Sequence, residues 1–419
     1  MLIKDARFVL TPDGVLENEN VLIEGNRIAS IGDTDKSGEV IDASGCAVLP
    51  GMINMHTHAS MNLLRGVADD MEFWDAWPEI VWPLEEKLDG EKCYWGAMKA
   101  FVEMLKTGTT CFNDMYFFMD RVAEAAEEIG LRGYLGHGML DNGDEEKREE
   151  DIEEMERVIE VLNEDFSNRI KPVVTPHSPG TCSEELLLES KDISQREDLP
   201  LHMHVAETEK EVKDVKNEVG KHPIEYLDEL GLLNKRFIGA HAVHLERKHM
   251  KLLAQSGASV VHNPCSNMKL ASGISPVADM IKEGVNVTLG TDGVVSNNNL
   301  DMFEEMKIAS LLQKADRSDP TVMAAEGSLK LPWSNAGKAV GEEIGEIKEG
   351  YLADLILIDL DDVKMKPMHS LTSNLVYSGA KVNTSIVDGE VVMEDGKLKK
   401  VDEEKIKAKA KKVANELVS

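Results

Sequence analysis

Eight short β-branched or apolar runs recur along the middle of the chain, most of them followed by a stretch with helical periodicity, and this alternation limits the possible folds more than any other feature. The runs are VLPGMINMHTH (48–58), TTCFNDM (109–115), GYLGHGML (133–140), KPVVTPH (171–177), LPLHMHVAE (199–207), FIGAHAVH (237–244), ASVVHNP (258–264) and VNVTLGTDG (285–293). Helices read at 120–130, 145–163, 183–197, 209–230, 246–256, 276–284 and 301–314. Apolar strands separated by helices are parallel strands covered on both faces, and eight of them predict an α/β fold, a (β/α)8 TIM barrel. The first two strands are separated by a longer insertion, residues 60–108, with Trp74, Trp77 and Trp82 ahead of a helix. Tyr94, Met98, Phe101, Val102 and Leu105 recur there at helical spacing and are predicted to be core.

The two chain ends have a different period. LIKDARFVL, ENVLIEGNRIASIG and AVLP at the start, and ADLILIDL and VNTSIVDGEVVMEDGKL near the end, alternate polar and apolar residues around turns such as EGN and DGE. Residues 1–52 and 345–400 are therefore expected to pair as a small composite β-sandwich domain beside a barrel at 53–344, with 401–419 as a closing amphipathic helix.

Composition excludes some classes of partner. The chain of 419 residues has 46 Lys and Arg against 77 Asp and Glu, a formal net charge of −31 that repels polyanions, so no nucleic acid is expected on its surface. Asp5 and Arg7 interrupt the N-terminal apolar stretch, and no run is long enough for a bilayer, so neither a secretory leader nor a membrane partner is expected. Cys46, Cys93, Cys111, Cys182 and Cys265 are odd in number and form no CxxC pair, which suits reduced thiols in a cytoplasm.

In a TIM barrel the chemistry sits beyond the C-terminal ends of the strands, and there this chain places its polar residues. His56 and His58, Asp114, His137, His177, His204 and Glu207, His241 and His244, His262 and Asp292 all fall at or near the ends of their runs. His56 and His58 are two apart, so in a strand both imidazoles face the same side. They are either a loop-side surface pair or half of a metal site. His204 and Asp292 could complete the ligands for zinc or ferrous iron, whose bound water ionises near neutrality. Glu207 could carry the proton, or could simply favour a helix N-terminus. No HExxH, GxSxG, GxxxxGK[ST] or GxGxxG motif is present, and Pro264–Cys265 lacks the second cysteine of a PCxxC site.

LPGMINMHTH, GTT, TPHSP, HVAETEKE, AHAVHL, HNPCSNMKLASGISP, GTDG, SNNNLDMFEEMK and ADLILID together span the chain and resemble the amidohydrolase superfamily, in its cytosine deaminase-like and chlorohydrolase-like group. WPLEEKL and TPHSPGTCSEE resemble the 5'-methylthioadenosine/S-adenosylhomocysteine deaminases within it. The resemblance implies one divalent metal ion per subunit, zinc with iron or manganese as alternatives, held by His56, His58, His204 and Asp292; no lysine sits at the end of strand 4, where two-metal members carry one. It implies that Glu207 protonates purine N1 and that His241, with Asp292, orients the hydroxide that attacks C6, expelling ammonia. His244 is the competitor for His241 and reads as structural. The ribose hydroxyls of a small-molecule nucleoside would meet Glu85 (or Glu86, if the register slips by one) and His177. Relatives that bind the homocysteine carboxylate offer an arginine where this chain has His137; Arg148 corresponds to a second such arginine, or is an exposed helical residue. An imidazole does not replace a bidentate guanidinium, so uncharged 5'-substituents are expected to be preferred. Such relatives often form homo-oligomers. The alternatives are the same site acting on guanine, a pterin, a cytosine derivative or a triazine, and a barrel that has lost its chemistry.

Overall fold

The computed structural model describes residues 1–32, 34, 38–71 and 76–419; Trp74 lies outside the described residues. At the N-terminus come β1 (Leu2–Thr11), β2 (Gly14–Glu24), β3 (Arg27–Ile31), β4 (Val40–Asp42) and β5 (Cys46–Pro50). The middle of the chain holds β6 (Met52–Thr57), β7 (Thr109–Tyr116), β8 (Arg132–Met139), β9 (Ile170–Pro172), β10 (Thr175–Pro176), β11 (Leu201–Val205), β12 (Phe237–His241), β13 (Ser259–His262) and β14 (Asn286–Leu289). The chain returns through β15 (Leu355–Asp359), β16 (Val382–Val387), β17 (Glu390–Glu394) and β18 (Lys397–Leu398).

Strands β6 to β14 form the TIM barrel as two parallel ladders, β6–β7–β8 with β9 and β10, and β11–β12–β13–β14. The fourth barrel strand is broken into β9 and β10 because Pro172 and Pro176 have no N–H to donate. Two seams close the barrel. At one, His202 N donates to Val174 O (2.8 Å) and His204 N to His177 O (2.9 Å). At the other, Asp292 N donates to His56 O (2.9 Å), while Asn54 Oδ1 accepts from Thr291 N at 3.0 Å. The hydrogen bonds that close the cylinder therefore also fix the strand ends carrying the histidines and Asp292.

The run at 48–58 divides at Gly51: Cys46–Pro50 pairs with β1 and β15 outside the barrel, and Met52–Thr57 is the first barrel strand. A side chain at 51 would meet Thr110 Oγ1 at 2.0 Å, so only glycine lets the strands pass this closely. The terminal strands form one hydrogen-bonded sheet, in the order β18-β17-β16-β15-β5-β1-β2-β3 with β4 also on β1. A register shift between Ile3 and Ala6, with Asp5 at φ +56°, lets the first half of β1 pair with β4 and the second half with β5. Ile3, Ile23, Ile28, Val48, Leu355 and Ile386 share one apolar cluster, so the terminal unit is a sheet folded around its own core. Arg132 on β8 joins it to the barrel, donating to Asp354 at 2.8 and 3.1 Å and to Asp388 at 2.7 Å.

The helix read at 209–230 is two helices, Glu209–Val219 and Pro223–Glu229. Gly220 ends the first at φ +76°, and His222 caps the second ahead of Pro223. In the insertion, the Gly90–Lys106 helix buries Met98, Phe101, Val102 and Leu105, while half-buried Tyr94 donates its hydroxyl to Glu128. The closing helix, Glu403–Val418, buries Ile406, Ala410, Val413 and Leu417 and is tied to the insertion helix by an ion pair between Lys106 and Glu403 (2.7 Å). No helix among the described residues is long and apolar enough to cross a membrane.

Candidate active site

His56 is the penultimate residue of a fully buried strand, and His58 follows just beyond its end, with β11 delivering His204 and the loop after β14 delivering Asp292. Ligating nitrogens of His56, His58 and His204 lie within 4.8 Å of one another, and His56, His241 and Asp292 form a second, overlapping set. Asp292 Oδ1 is 3.4 Å from His56 Nε2 and 3.3 Å from His58 Nε2.

The other nitrogen of each imidazole is already engaged. His58 Nδ1 donates to Met115 O (2.7 Å) and His204 Nδ1 to His177 O (3.0 Å). His56 reaches a backbone carbonyl through a second ring: its Nδ1 donates to His202 Nε2 (2.9 Å), and His202 Nδ1 donates to Ile238 O (3.0 Å). Because a carbonyl can only accept, the relay fixes both tautomers and leaves the Nε2 lone pair of His56 directed at the cluster. That Nε2 is buried without a hydrogen-bond partner. Three imidazoles oriented from behind with Nε2 toward the cluster, and one carboxylate, are a donor set that fits a divalent cation.

Electrostatics follows from this packing. Burial pushes His56 down to about 3, and burial with neighbouring imidazoles holds His204 well below the usual range. Burial also opposes charge on His58, but Asp292 prevails and raises it to about 9. Asp292, which burial alone would raise, is held well below the carboxylate range by the two imidazoles. Its Oδ2 accepts from Ser266 Oγ (2.6 Å) and its Oδ1 from Gly293 N (2.7 Å). Ala206, His241, Ala242 and Asp292 all have positive φ, between 47° and 70°. Each such residue costs on the order of 1 kcal/mol, and their clustering at three strand ends marks the place where function is served at the expense of stability.

Glu207 lies beside this cluster. Its Oε2 is 3.9 Å from His241 Nε2, Ser272 Oγ donates to its Oε1 at 3.4 Å, and burial raises its pKa. His241 donates Nδ1–H to Asn267 Oδ1 (2.9 Å), which turns its Nε2 toward Glu207. His244, by contrast, is bound to Ser272 O at 2.8 Å, the structural position expected for it. Glu211 receives the N–H groups of Ala206 and Glu207 at 2.9 and 2.8 Å, and so holds the loop. His202, Asn267, Ser266 and Glu211 were not singled out from sequence, although His202 and His204 repeat the i, i+2 spacing of His56 and His58.

The remaining candidates divide. Tyr116 donates its hydroxyl to Glu85 Oε1 (2.5 Å), and burial raises the Glu85 pKa. Glu86 is exposed on the same helical turn. The His177 ring is 4.7 Å from that of His204, with Nδ1 bonded to Thr181 Oγ1 at 2.8 Å. Both Glu85 and His177 are thus within one ring or hydroxyl of the cluster.

Arg148 is not brought to this place. It lies between Glu145 and Glu189, 3.6 Å from each, and the arginine that lines the cleft with Glu85 and His137 is Arg157. Nine residues at 100° each put positions 148 and 157 on opposite faces of the Glu145–Asp165 helix.

The chain resembles known proteins over its whole length. A model of the amidohydrolase family matches residues 47–392. A 5'-deoxyadenosine deaminase of Methanopyrus kandleri is 47% identical over 421 residues, which cover 98% of this chain and 97% of that protein. A 5-methylthioadenosine/S-adenosylhomocysteine deaminase of Thermococcus sibiricus is 46% identical over 397 residues, 94% of each chain. Among solved structures, an adenosine deaminase from Xanthomonas campestris with bound zinc matches with a TM-score of 0.94 at 31% identity, over 99% of this chain and 98% of that one.

Proposed function

The chain belongs to the amidohydrolase family, and from that premise we propose that it hydrolytically deaminates the adenine ring of 5'-modified adenosines, releasing ammonia and leaving the inosine-type nucleoside. 5'-Deoxyadenosine, 5'-methylthioadenosine and adenosine are the substrates intended. The observation that carries the reading is the convergence of three back-oriented imidazoles and Asp292 with Glu207 and His241 beside them.

His56, His58, His204 and Asp292 would hold one divalent ion, taken as zinc because the Xanthomonas structure carries it, although the same donors accept iron or manganese. When bound, such an ion supplies Lewis-acid activation of water near neutral pH. The chain's own groups do the rest. Glu207, whose burial favours the protonated form, donates to purine N1 and afterwards moves a proton to the departing amine. His241, held through Nδ1 by Asn267, is positioned with Nε2 beside Glu207 to orient the attacking water as C6 becomes tetrahedral. Glu85 has Oε1 occupied by Tyr116 and offers Oε2 to a ribose hydroxyl, and His177, tied through Nδ1, offers Nε2. A free base has no diol for this pair, which is why nucleosides are preferred over guanine. Five free thiols suit a reduced cytoplasm, and a homo-oligomer is the assembly proposed.

The test is ammonia release by the metal-loaded protein, compared as kcat/KM across 5'-deoxyadenosine, 5'-methylthioadenosine, adenosine and guanine. The nucleosides should lead. Faster turnover of guanine, or none of any nucleoside, would overturn the assignment.

A further inference from the structure

Beyond Glu85 the site continues into a cleft of about 700 Å³, far larger than a 5'-methyl or methylthio group requires. Ring contacts connect the two: His58 is 5.9 Å from Tyr116, Tyr116 is 4.9 Å from Phe117, and Phe117 is 6.3 Å from His137. With the ribose on Glu85, the 5'-substituent enters this cleft, an orientation that rests on the nucleoside reading above.

The walls are aromatic and acidic. Trp82 and Phe118 expose 49% and 39% of their surfaces, and Phe117 lies beside them. Glu86, Asp120 and Glu154 line the cleft with, among the described residues, one guanidinium, that of Arg157. Arg157 is already committed, donating to Glu154 through Nε and Nη2, both at 2.7 Å, with Asp120 3.6 Å away. His137, only 9% exposed on the cleft wall, is bonded through Nε2 to Asp151 Oδ1 (3.1 Å). Asp151, held below the usual carboxylate range by His137 and Lys147 against its burial, can only accept, so the proton is on Nε2. The other nitrogen, Nδ1, is buried without a hydrogen-bond partner, so it does not reach into the cleft to hold an anion.

We infer that this cleft selects 5'-substituents by charge, accepting an apolar chain that ends in a cation, such as a primary ammonium, and disfavouring one that ends in a carboxylate. An ammonium gains the faces of Trp82 and Phe118 and an excess of carboxylates. A carboxylate meets, among the described residues, one guanidinium already paired with Glu154 and Asp120 and otherwise an excess of like charge. Because the group is remote from C6, the selection acts in binding and not in the chemical step.

The experiment uses three adenosines of similar length, 5'-(3-aminopropylthio), 5'-propylthio and 5'-(2-carboxyethylthio), with the metal-loaded protein. Kd is measured by calorimetry, KM and kcat by ammonia release, and 5'-deoxyadenosine serves as the turnover control. The amine should bind on the order of tenfold more tightly than the carboxylate, a gap that shrinks as salt is raised. The values of kcat should agree within about a factor of three. Asp120→Asn combined with Glu154→Gln should narrow the gap, and His137→Arg should reverse its sign. A carboxylate that binds as tightly as the amine, or a gap unmoved by these substitutions, overturns the inference. If the order of Kd holds while 5'-deoxyadenosine is not deaminated, charge selection stands and the nucleoside deaminase reading falls.

Discussion

Replacing His202 with leucine tests whether the back side of the metal cluster matters as much as its front. The side chain is fully buried on β11, and its Nε2 is the acceptor for His56 Nδ1–H at 2.9 Å. Leucine fills similar volume and accepts nothing, so His56 keeps a buried donor without a partner and loses the bond that fixes its tautomer. An orphaned buried donor costs roughly 1–3 kcal/mol. Loss of an outer partner of a metal-ligating histidine typically costs about 10–100-fold in affinity, which is about 1.4–2.7 kcal/mol. The two magnitudes agree, so His202→Leu should weaken zinc binding by about one to two decades in a chelator competition at fixed pH. His202→Gln, whose Oε1 can accept, should recover part of the loss. A folded His202→Leu protein with unchanged zinc affinity would refute the relay.

Three further outcomes follow from other parts of the structure. Glu85→Ala should raise KM for 5'-deoxyadenosine by about 10–100-fold, from loss of a charged hydrogen bond, and leave free adenine nearly unaffected; equal losses would remove Glu85 from the ribose. Arg132→Met leaves the Asp354 carboxylate buried between barrel and terminal sheet without its cation, with the Asp388 N–H still donating to it, so urea unfolding should show a loss of about 3–5 kcal/mol, and a loss below about 1 kcal/mol would mean that the junction is held by packing instead. Glu305 accepts from Asn297 Nδ2 (2.6 Å) and Cys265 N (3.3 Å), and burial raises it to about 8, above its unfolded value of 4.5. Between those pH values the folded state binds a proton that the unfolded state does not, so stability falls as pH rises, by up to about 1.4 kcal/mol per unit. Glu305→Gln should remove that slope, and parallel pH profiles for parent and variant would contradict it.

The barrel was legible because each parallel strand is a short apolar run that ends in a polar residue, and that pattern is local. His56, His58, His204 and Asp292 could be grouped from strand ends alone, since a barrel brings all its strand ends to one rim. Other features were missed. The division of 48–58 at Gly51 depends on Thr110, which is distant in sequence. The helix break at Gly220 was readable from the Gly and Pro223 beside it but was overridden by the apolar period on either side. Arg148 came from the family resemblance, whereas Arg157, on the opposite face of the same helix, is the one that lines the cleft. His202, Ser266 and Asn267 lay inside quoted motifs, but their partners are His56, Asp292 and His241, all on other strands. Supporting residues of this kind carry no local signal beyond the i, i+2 repeat.

The most direct test of the account is ammonia release from 5'-deoxyadenosine by Glu207→Gln protein whose metal content has been shown to equal that of the parent. Glutamine keeps the shape and the Ser272 contact but cannot carry the proton. The account predicts a full complement of metal with kcat lowered by about 10²–10⁴-fold. Turnover at the parent rate would take the proton transfer away from Glu207 and with it the proposed chemistry.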